Sequence, residues 1–314
     1  MGSNNQPSDP TFRSYSSAQG AQYAQHRRNY NPKLYESILT FHKSGSGQLH
    51  TLVDIGCGPG TATRSLAPNF RRAYGLDPSE GMISTARSIA EGLSEPENIK
   101  FEVSTAEALG SDLEDPIVDG TVDVITAATC AHWFDMPRFW EKAAKLLKPG
   151  GTVALWTSAS VRVDSSVPNH EAIQAAIDEL DVMVDEYMVA GNRLALDLYR
   201  DLALPWQVDP AVSAFDRDSF VRKEWCTGPD VDTKFFEHQP PITLDMMEMI
   251  IGTASPVTRW REAHPEALGT ENDVVRQVRR KIEKILGDAG VEKGKEILKG
   301  DMTGVLLLFR KKSD

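Results

Sequence analysis

From Thr51 to Thr157 the chain alternates short apolar runs with amphipathic stretches, and this rhythm limits the fold more than any other feature. The runs Thr51–Ile55, Arg72–Leu76, Lys100–Ser104, Val122–Ala127 and Thr152–Thr157 have the length and makeup of strands. Between them, Thr61–Phe70, Ser79–Gly92 and Met136–Leu147 read as helices. The last ends KLLKPGG, with lysines in the closing turn and Pro-Gly-Gly as a stop. Strands that alternate with helices need crossover connections. They predict an α/β fold, a doubly wound and mostly parallel sheet with helices on both faces.

After Trp156 the rhythm changes. Residues 169 to 202 and 243 to 290 read as mostly helical, with strand-like pieces at Phe220–Cys226 and Gly304–Phe309. Pro205, Pro210, Pro229 and the pair Pro240-Pro241 punctuate this half. Helices inserted late in an α/β chain often cover the mouth of the sheet, so this part is expected to form a cap woven into the same domain. Residues 1–12, rich in Ser, Asn and Pro, are expected to be disordered.

Composition narrows the function classes. No window approaches the ~18 uninterrupted apolar residues of a membrane span, and the polar N-terminus has no apolar core of a secretory signal. Three widely spaced cysteines without a CxxC pair point to a reduced, cytoplasmic setting. A net charge of −11, from 34 basic and 45 acidic residues, argues against general affinity for nucleic acid or anionic membranes. The seven histidines show no HxxxH or HxH spacing, so no metal site is expected.

The stretch Leu52–Gly60, LVDIGCGPG, closes the first strand and opens the first helix. Ligands of open parallel sheets sit beyond the carboxyl ends of the strands. Glycines there allow sharp turning and close backbone approach. The spacing Gly56-x-Gly58-x-Gly60, with Asp54 two residues ahead, departs from the GxGxxG of dinucleotide sites. A carboxylate at the strand tip repels a pyrophosphate but suits a ligand with an ammonium group, such as S-adenosylmethionine (SAM). Asp77, 23 positions later at the end of the second strand, is placed to accept both ribose hydroxyls. Asp77 alone leaves NAD and SAM open; with Asp54 it favours SAM. Pro78 and Met82 are then placed to line the adenine, although Met82 equally suits core packing.

The segments VDIGCGPGTAT, LDPSEGMI and LLKPGGTVALW resemble the class I SAM-dependent methyltransferases of the ubiquinone/menaquinone-biosynthesis type. A closer likeness is to trans-aconitate methyltransferases, through GCGPGTAT, Cys130-Ala131-His132-Trp133-Phe134-Asp135, and the N-terminal pattern Tyr23-x3-Arg27-x2-Tyr30. The resemblance implies a Rossmann-like seven-stranded sheet with a helical cap. It divides residues 13–314 into an N-terminal lid (13–45), a SAM-binding core (46–157), a substrate cap with late strands (158–300) and a final strand (301–314). Many relatives end the third strand Asp-Ala-Glu, whereas this chain has Thr105-Ala106-Glu107, so a hydroxyl replaces a carboxylate toward the adenine amino group. The loss of charge assistance there costs ~1 kcal/mol.

The resemblance also places Ala128, Thr129 and Cys130 under the sulfonium, with His132 and Trp133 facing the acceptor. His132 is then a base or an orienting group. A carboxylate acceptor needs no base, whereas a phenol or alcohol does. A carboxylate needs a cation, and Arg27, ahead of Arg28, is the first choice, with Tyr15, Tyr23 and Tyr30 closing the pocket. Arg193, Arg259, Arg261 and His264 are further cations of the cap. The expected activity is SAM-dependent O-methylation of a small carboxylic acid. The alternatives are O- or C-methylation of a secondary metabolite, suggested by Trp206, Trp225, Phe235, Phe236 and Trp260, and SAM-assisted cyclisation or dehydration without methyl transfer.

Overall fold

The computed structural model describes residues 29–92, 98–226, 234–237 and 240–313. The segment 1–12 and the residues Tyr15, Tyr23, Arg27 and Arg28 lie outside these ranges. The first half carries β1 (Thr51–Ile55), β2 (Arg72–Asp77), β3 (Ile99–Val103), β4 (Val122–Ala128) and β5 (Leu147–Val163), the second half β6 (Phe215–Trp225), the short pair β7 (Ile242–Thr243) and β8 (Ile297–Leu298), and β9 (Gly300–Lys311). Seven of them form one sheet in the order β3-β2-β1-β4-β5-β9-β6. The pairs from β3 to β5 are parallel, and β9 runs antiparallel to both β5 and β6.

Alternation along the strands builds two cores from one sheet. Val53, Ile55, Ile125, Val153, Leu155, Leu307 and Phe309 face one side. Leu52, Val124, Ala154, Trp156, Leu306 and Leu308 face the other. The first layer is covered by α4 (Met136–Leu146), which buries Met136, Phe139, Trp140, Ala143 and Leu146 at helical spacing and is capped by Asp135 accepting the Arg138 N–H. The second is covered by α1 (Pro32–Ser44), with Asn31 as cap and Leu34, Tyr35, Ile38 and His42 buried. The described end of the segment expected as a lid over 13–45 is thus a sheet-covering helix. The remaining helices of this half are α2 (Thr61–Leu66) and α3 (Glu80–Gly92).

The Pro-Gly-Gly stop ends α4 at Leu146, but no loop follows. Pro149–Gly151 lie inside β5, and the pairing with β4 shifts between Val122 and Val124 as Gly150 takes φ +75°. A bulge absorbs what reads as a loop signal.

The cap consists of α5 (His170–Met183), α6 (Ala190–Leu196), α7 (Leu244–Ile251), α8 (Ser255–Ala263) and α9 (Val274–Asp288), together with the β7–β8 pair. Ile173, Leu180, Met247, Val257, Val278, Ile282 and Leu286 give it a hydrophobic cluster of its own. It hangs from the extended ends of β5 and β9, where Val161, Arg162 and Val163 pair with Met302, Asp301 and Gly300 beyond a bulge after Ser158. Among the described residues no helix is long and apolar enough to cross a membrane.

Candidate functional site

The five parallel strands deliver their carboxyl ends to one rim, and the strand order reverses between β1 and β4, the switch point where open α/β sheets bind ligands. The loop Gly56–Gly60 leaves β1 there. Gly56 has φ +65°, and a Cβ on it would stand 2.5 Å from Cys130 Sγ, so both its conformation and its packing require glycine. Gly58 differs. It has φ +54°, and a Cβ on it would meet no atom within 4 Å. Its missing side chain opens onto free space.

Asp77 at the tip of β2 ties this loop down: its carboxylate accepts the Gly58 N–H at 2.9 Å and the Ser79 N–H at 2.9 Å. Burial pushes its carboxyl above the usual range. Asp54 is fully buried and accepts from Thr63 Oγ1 at 2.6 Å and Thr126 Oγ1 at 2.7 Å. Its carboxyl is pushed up to about 6, first by burial and also by the nearby charge of Asp77, against the bonds from Thr63 and Thr126. Among the described residues neither aspartate has an ion pair with Lys or Arg. The sequence places Asp54 against an ammonium group; in the structure its carboxylate is sealed under the glycine loop. A direct contact requires that carboxylate to be uncovered.

Beyond β3, Thr105 opens a tight turn. Its carbonyl accepts the Leu109 N–H at 2.8 Å and its hydroxyl the Ala108 N–H at 3.3 Å. The hydroxyl expected at the adenine is therefore shared with the backbone. Ala106 is buried, and Glu107 accepts the Asp135 N–H at 3.1 Å, joining the tip of β3 to the segment after β4. Met82, on α3, is buried at 3% exposure and Pro78 half-buried.

At the tip of β4, Ala128 is half-buried and Thr129 adopts φ +56°, its N–H bonded to the Trp156 carbonyl at 2.7 Å. The Tyr30 hydroxyl lies 3.0 Å from Thr129 Oγ1, while its ring stacks on Phe236 and meets Trp156 edge-on at 5.5 Å. Tyr30 thus pins the chain start of α1 to this rim. His132 and Trp133 sit on the turn Ala131–Trp133, their rings 4.6 Å apart. Helix α6 rests on them at Gly191, where a Cβ would stand 2.4 Å from the Trp133 ring. His132 Nδ1 is 2.9 Å from the hydroxyl of Tyr199, a residue that nothing in the sequence singled out.

The further cations of the cap are engaged in its own structure. Arg193 pairs with Asp185 at 2.6 Å, Arg261 with Asp273 at 2.7 Å, and Arg259 bonds the Tyr187 carbonyl and the Asn192 side chain. His264 stacks on Trp260 at 4.3 Å. Trp225, Phe235 and Phe236 are buried in the sheet core, and Trp206 packs on Phe220 and Phe309. Among the described residues these aromatics pack against one another and into the sheet core.

Residues 53–155, about a third of the chain, match the methyltransferase-domain family. A Dictyostelium discoideum protein named as a methyltransferase is 29% identical over 180 residues, 57% of this chain and 62% of that protein. The Saccharomyces cerevisiae protein CRG1, named as a probable SAM-dependent methyltransferase, is 34% identical over 138 residues, 44% of this chain and 45% of its own. The chain spans about half the length of these relatives. A solved structure of an Anaeromyxobacter dehalogenans protein, described as a type II methyltransferase, aligns over 91% of this chain and 98% of that one with TM-score 0.60 and 22% identity, and so shares the fold. Residues 53–155 thus carry a methyltransferase-domain match, and SAM is the cofactor that goes with such a domain. The rim fits a cofactor that is cationic and carries no phosphate. It offers open space at Gly58 and two carboxylates that, among the described residues, have no ion pair with Lys or Arg.

Proposed function

We propose that this protein is a SAM-dependent methyltransferase of a small molecule, and that its acceptor is a carboxylate oxygen of a small acid of the trans-aconitate type. Asp54 and Asp77 around the Gly56–Gly60 loop, which have no ion pair with Lys or Arg among the described residues, carry the first half of this reading. Gly58 and Asp77 hold the adenosyl part, with Ala106, Glu107, Ala128 and Thr129 bordering it from the neighbouring strand ends. When bound, SAM supplies an activated methyl group on a sulfonium. The protein's own part is alignment and exclusion of water, which is where most of the acceleration of such a transfer arises.

The acceptor half rests on the segment Cys130–Asp135, which the cap covers through Gly191, and on Tyr30, which brings the N-terminal chain to the same rim. Arg27, in the pattern Tyr23-x3-Arg27-x2-Tyr30, is the cation that the resemblance assigns to the acid. His132 orients the acid. The buried state of Trp225, Phe235 and Phe236 removes the feature that favoured a bulky secondary metabolite.

The test uses SAM with a deuterated methyl group, the purified protein and a panel of small acids and phenols, read by mass spectrometry. Labelled ester on an acid, with S-adenosylhomocysteine formed in equal amount, is the expected outcome. Label on a phenol or carbon overturns the acid assignment. Turnover that requires SAM but moves no label overturns methyl transfer itself.

A further inference from the structure

Helix α6 touches both the sheet and the cap, and it does so through adjacent residues. Gly191 is buried against the turn Ala131–Trp133. A Cβ there would stand 2.4 and 2.6 Å from two ring atoms of Trp133 and 2.8 Å from the His132 carbonyl oxygen. Ordinary carbon contacts need roughly 3.5–4.0 Å, so alanine at this position would drive α6 and the turn apart by about 1 Å. Gly191 has no positive φ that would call for glycine, and within a helix alanine is the better former. The glycine is explained by the close approach and not by the backbone.

Asn192, one residue on, is tied to the cap. Its Nδ2 donates to Ser255 Oγ at 3.0 Å, and Ser255, 6% exposed, opens α8. Its Oδ1 accepts the Val189 N–H at 3.1 Å and Nη2 of Arg259, also on α8. Both of those groups only donate, so the amide has one orientation. Arg259 extends the tie, its Nε donating to the Tyr187 carbonyl at 2.8 Å. Through Val257, α8 belongs to the hydrophobic cluster of the cap. Leu194 of α6 packs instead on the cluster of the sheet. One short helix thus joins cap and sheet at the turn that carries His132 and Trp133.

We propose that Gly191 and Asn192 are positioning residues for the methyl acceptor: side by side on α6, they carry the placement of the cap to the turn of His132 and Trp133. This rests on the reading that His132 and Trp133 face the acceptor. Asn192 fixes α6 to α8, and Gly191 lets the same helix lie directly on the Trp133 ring. A shift of the cap is passed to that ring with no side chain between them to absorb it. A misplacement of about 1 Å in an acceptor awaiting an in-line transfer costs up to ~100-fold in rate, so a contact this close governs turnover.

The test is 19F NMR of the full chain carrying 5-fluorotryptophan, in which Trp133 is one of six signals and is assigned by its loss in Trp133→Phe. Asn192→Leu and Ser255→Ala are expected to shift the Trp133 signal, while Trp140 and Trp225, fully buried in the sheet cores, keep theirs and report that each variant is folded. A Trp133 signal unmoved in both variants overturns the proposal. These signals need no acceptor, so they decide the coupling even where the acid assignment fails. Kinetics with SAM and trans-aconitate read its use. Gly191→Ala is expected to lower kcat/KM for the acceptor about tenfold or more at unchanged Kd for SAM. In a Trp133→Leu background, which lacks the crowding ring atoms, the same substitution is expected to cost less than about twofold. An equal loss in both backgrounds, or a matching loss of SAM affinity, makes Gly191 a structural residue and overturns the proposal. A shifted Trp133 signal with kcat/KM unchanged in Gly191→Ala overturns instead the reading that Trp133 faces the acceptor.

Discussion

Two buried aspartates stand at opposite ends of neighbouring strands. Asp123, at the start of β4, is 2% exposed and holds Lys148 Nζ at 2.8 and 3.0 Å while accepting the N–H groups of His50 and Thr51. Asp54, near the end of β1, is equally buried but accepts from the hydroxyls of Thr63 and Thr126 and has no ion pair with Lys or Arg among the described residues. The cap repeats the first pattern. Asp273 is paired with Arg261, and its carboxyl is held below the usual range by that guanidinium, against the effect of burial. Where a carboxylate serves the architecture, the chain supplies its cation. At the cofactor rim Asp54 and Asp77 have no ion pair with Lys or Arg among the described residues, as suits a ligand that brings its own positive charge.

Exchanging each carboxylate for its amide tests this contrast most strongly. Asp54→Asn keeps the shape and removes the charge; its expected effect is a ~100-fold loss of SAM affinity in calorimetry, about 2.7 kcal/mol, with no loss of unfolding free energy. Asp123→Asn is expected to do the reverse. It strands Lys148 and lowers the unfolding free energy by about 2 kcal/mol at unchanged SAM affinity. If the two variants behave alike, the distinction between them is lost.

Gly58→Ala sharpens the same contrast within the loop. A methyl group at φ +54°, projecting into open space beside Asp77, is expected to weaken SAM binding ~10-fold, partly through a backbone cost of about 1 kcal/mol. Affinity equal to the unaltered protein would show that the space at Gly58 is not where the cofactor lies.

Two pH dependences follow, the smaller effects of the series. The Asp54 carboxyl takes its proton near pH 6, and a cationic ligand prefers the ionised form. SAM affinity is therefore expected to be flat above pH 7 and to fall by up to ~10-fold per unit below about 6, and to lose this dependence in Asp54→Asn. For the ligand-free fold the sign is opposite: ionised Asp54 costs stability, so its own contribution improves as pH falls from 6 toward 3.8. His42 moves the other way. It is 1% exposed, its Nε2–H donates to the Gln48 carbonyl at 2.8 Å and its Nδ1 accepts from Thr152, and burial holds its basicity below the usual 6.5. The fold has this contribution in full above pH 6.5 and loses it as pH falls below that value, which urea unfolding across that range reads as a falling unfolding free energy. His42→Asn should flatten that slope.

What could be read in advance follows from how local each constraint is. The strands from β1 to β5, the helices between them and the glycine loop are set by periodicity and by positive φ within a few residues, so their places are written in short stretches such as LVDIGCGPG. Asp77 against Gly58 follows from strand register. Tyr199 was not legible, because it meets His132 across 67 positions and through a left-handed backbone that no glycine announces. The sealing of Asp54 needed Thr126, a residue of another strand brought level with it by the β1–β4 register. The cap arginines read as possible substrate cations because Asp185 and Asp273, which occupy them, lie eight and twelve positions away with no helical spacing to link them.

The extended ends of β5 and β9 have a consequence for how such a chain can diversify. The first excursion into the cap leaves at Val163 and the last returns at Gly300, and these two residues are register partners. Between them the helices α5, α7, α8 and α9, which pack on one another and not on the rim, are a lineage's free ground. Helices can be lengthened, swapped or rewritten on that stalk while entry and exit stay one hydrogen-bonded pair apart, and the glycine loop, four strands deep in the sheet from the stalk's own edge partner, inherits none of the change. A new acceptor can thus be acquired without renegotiating the old cofactor.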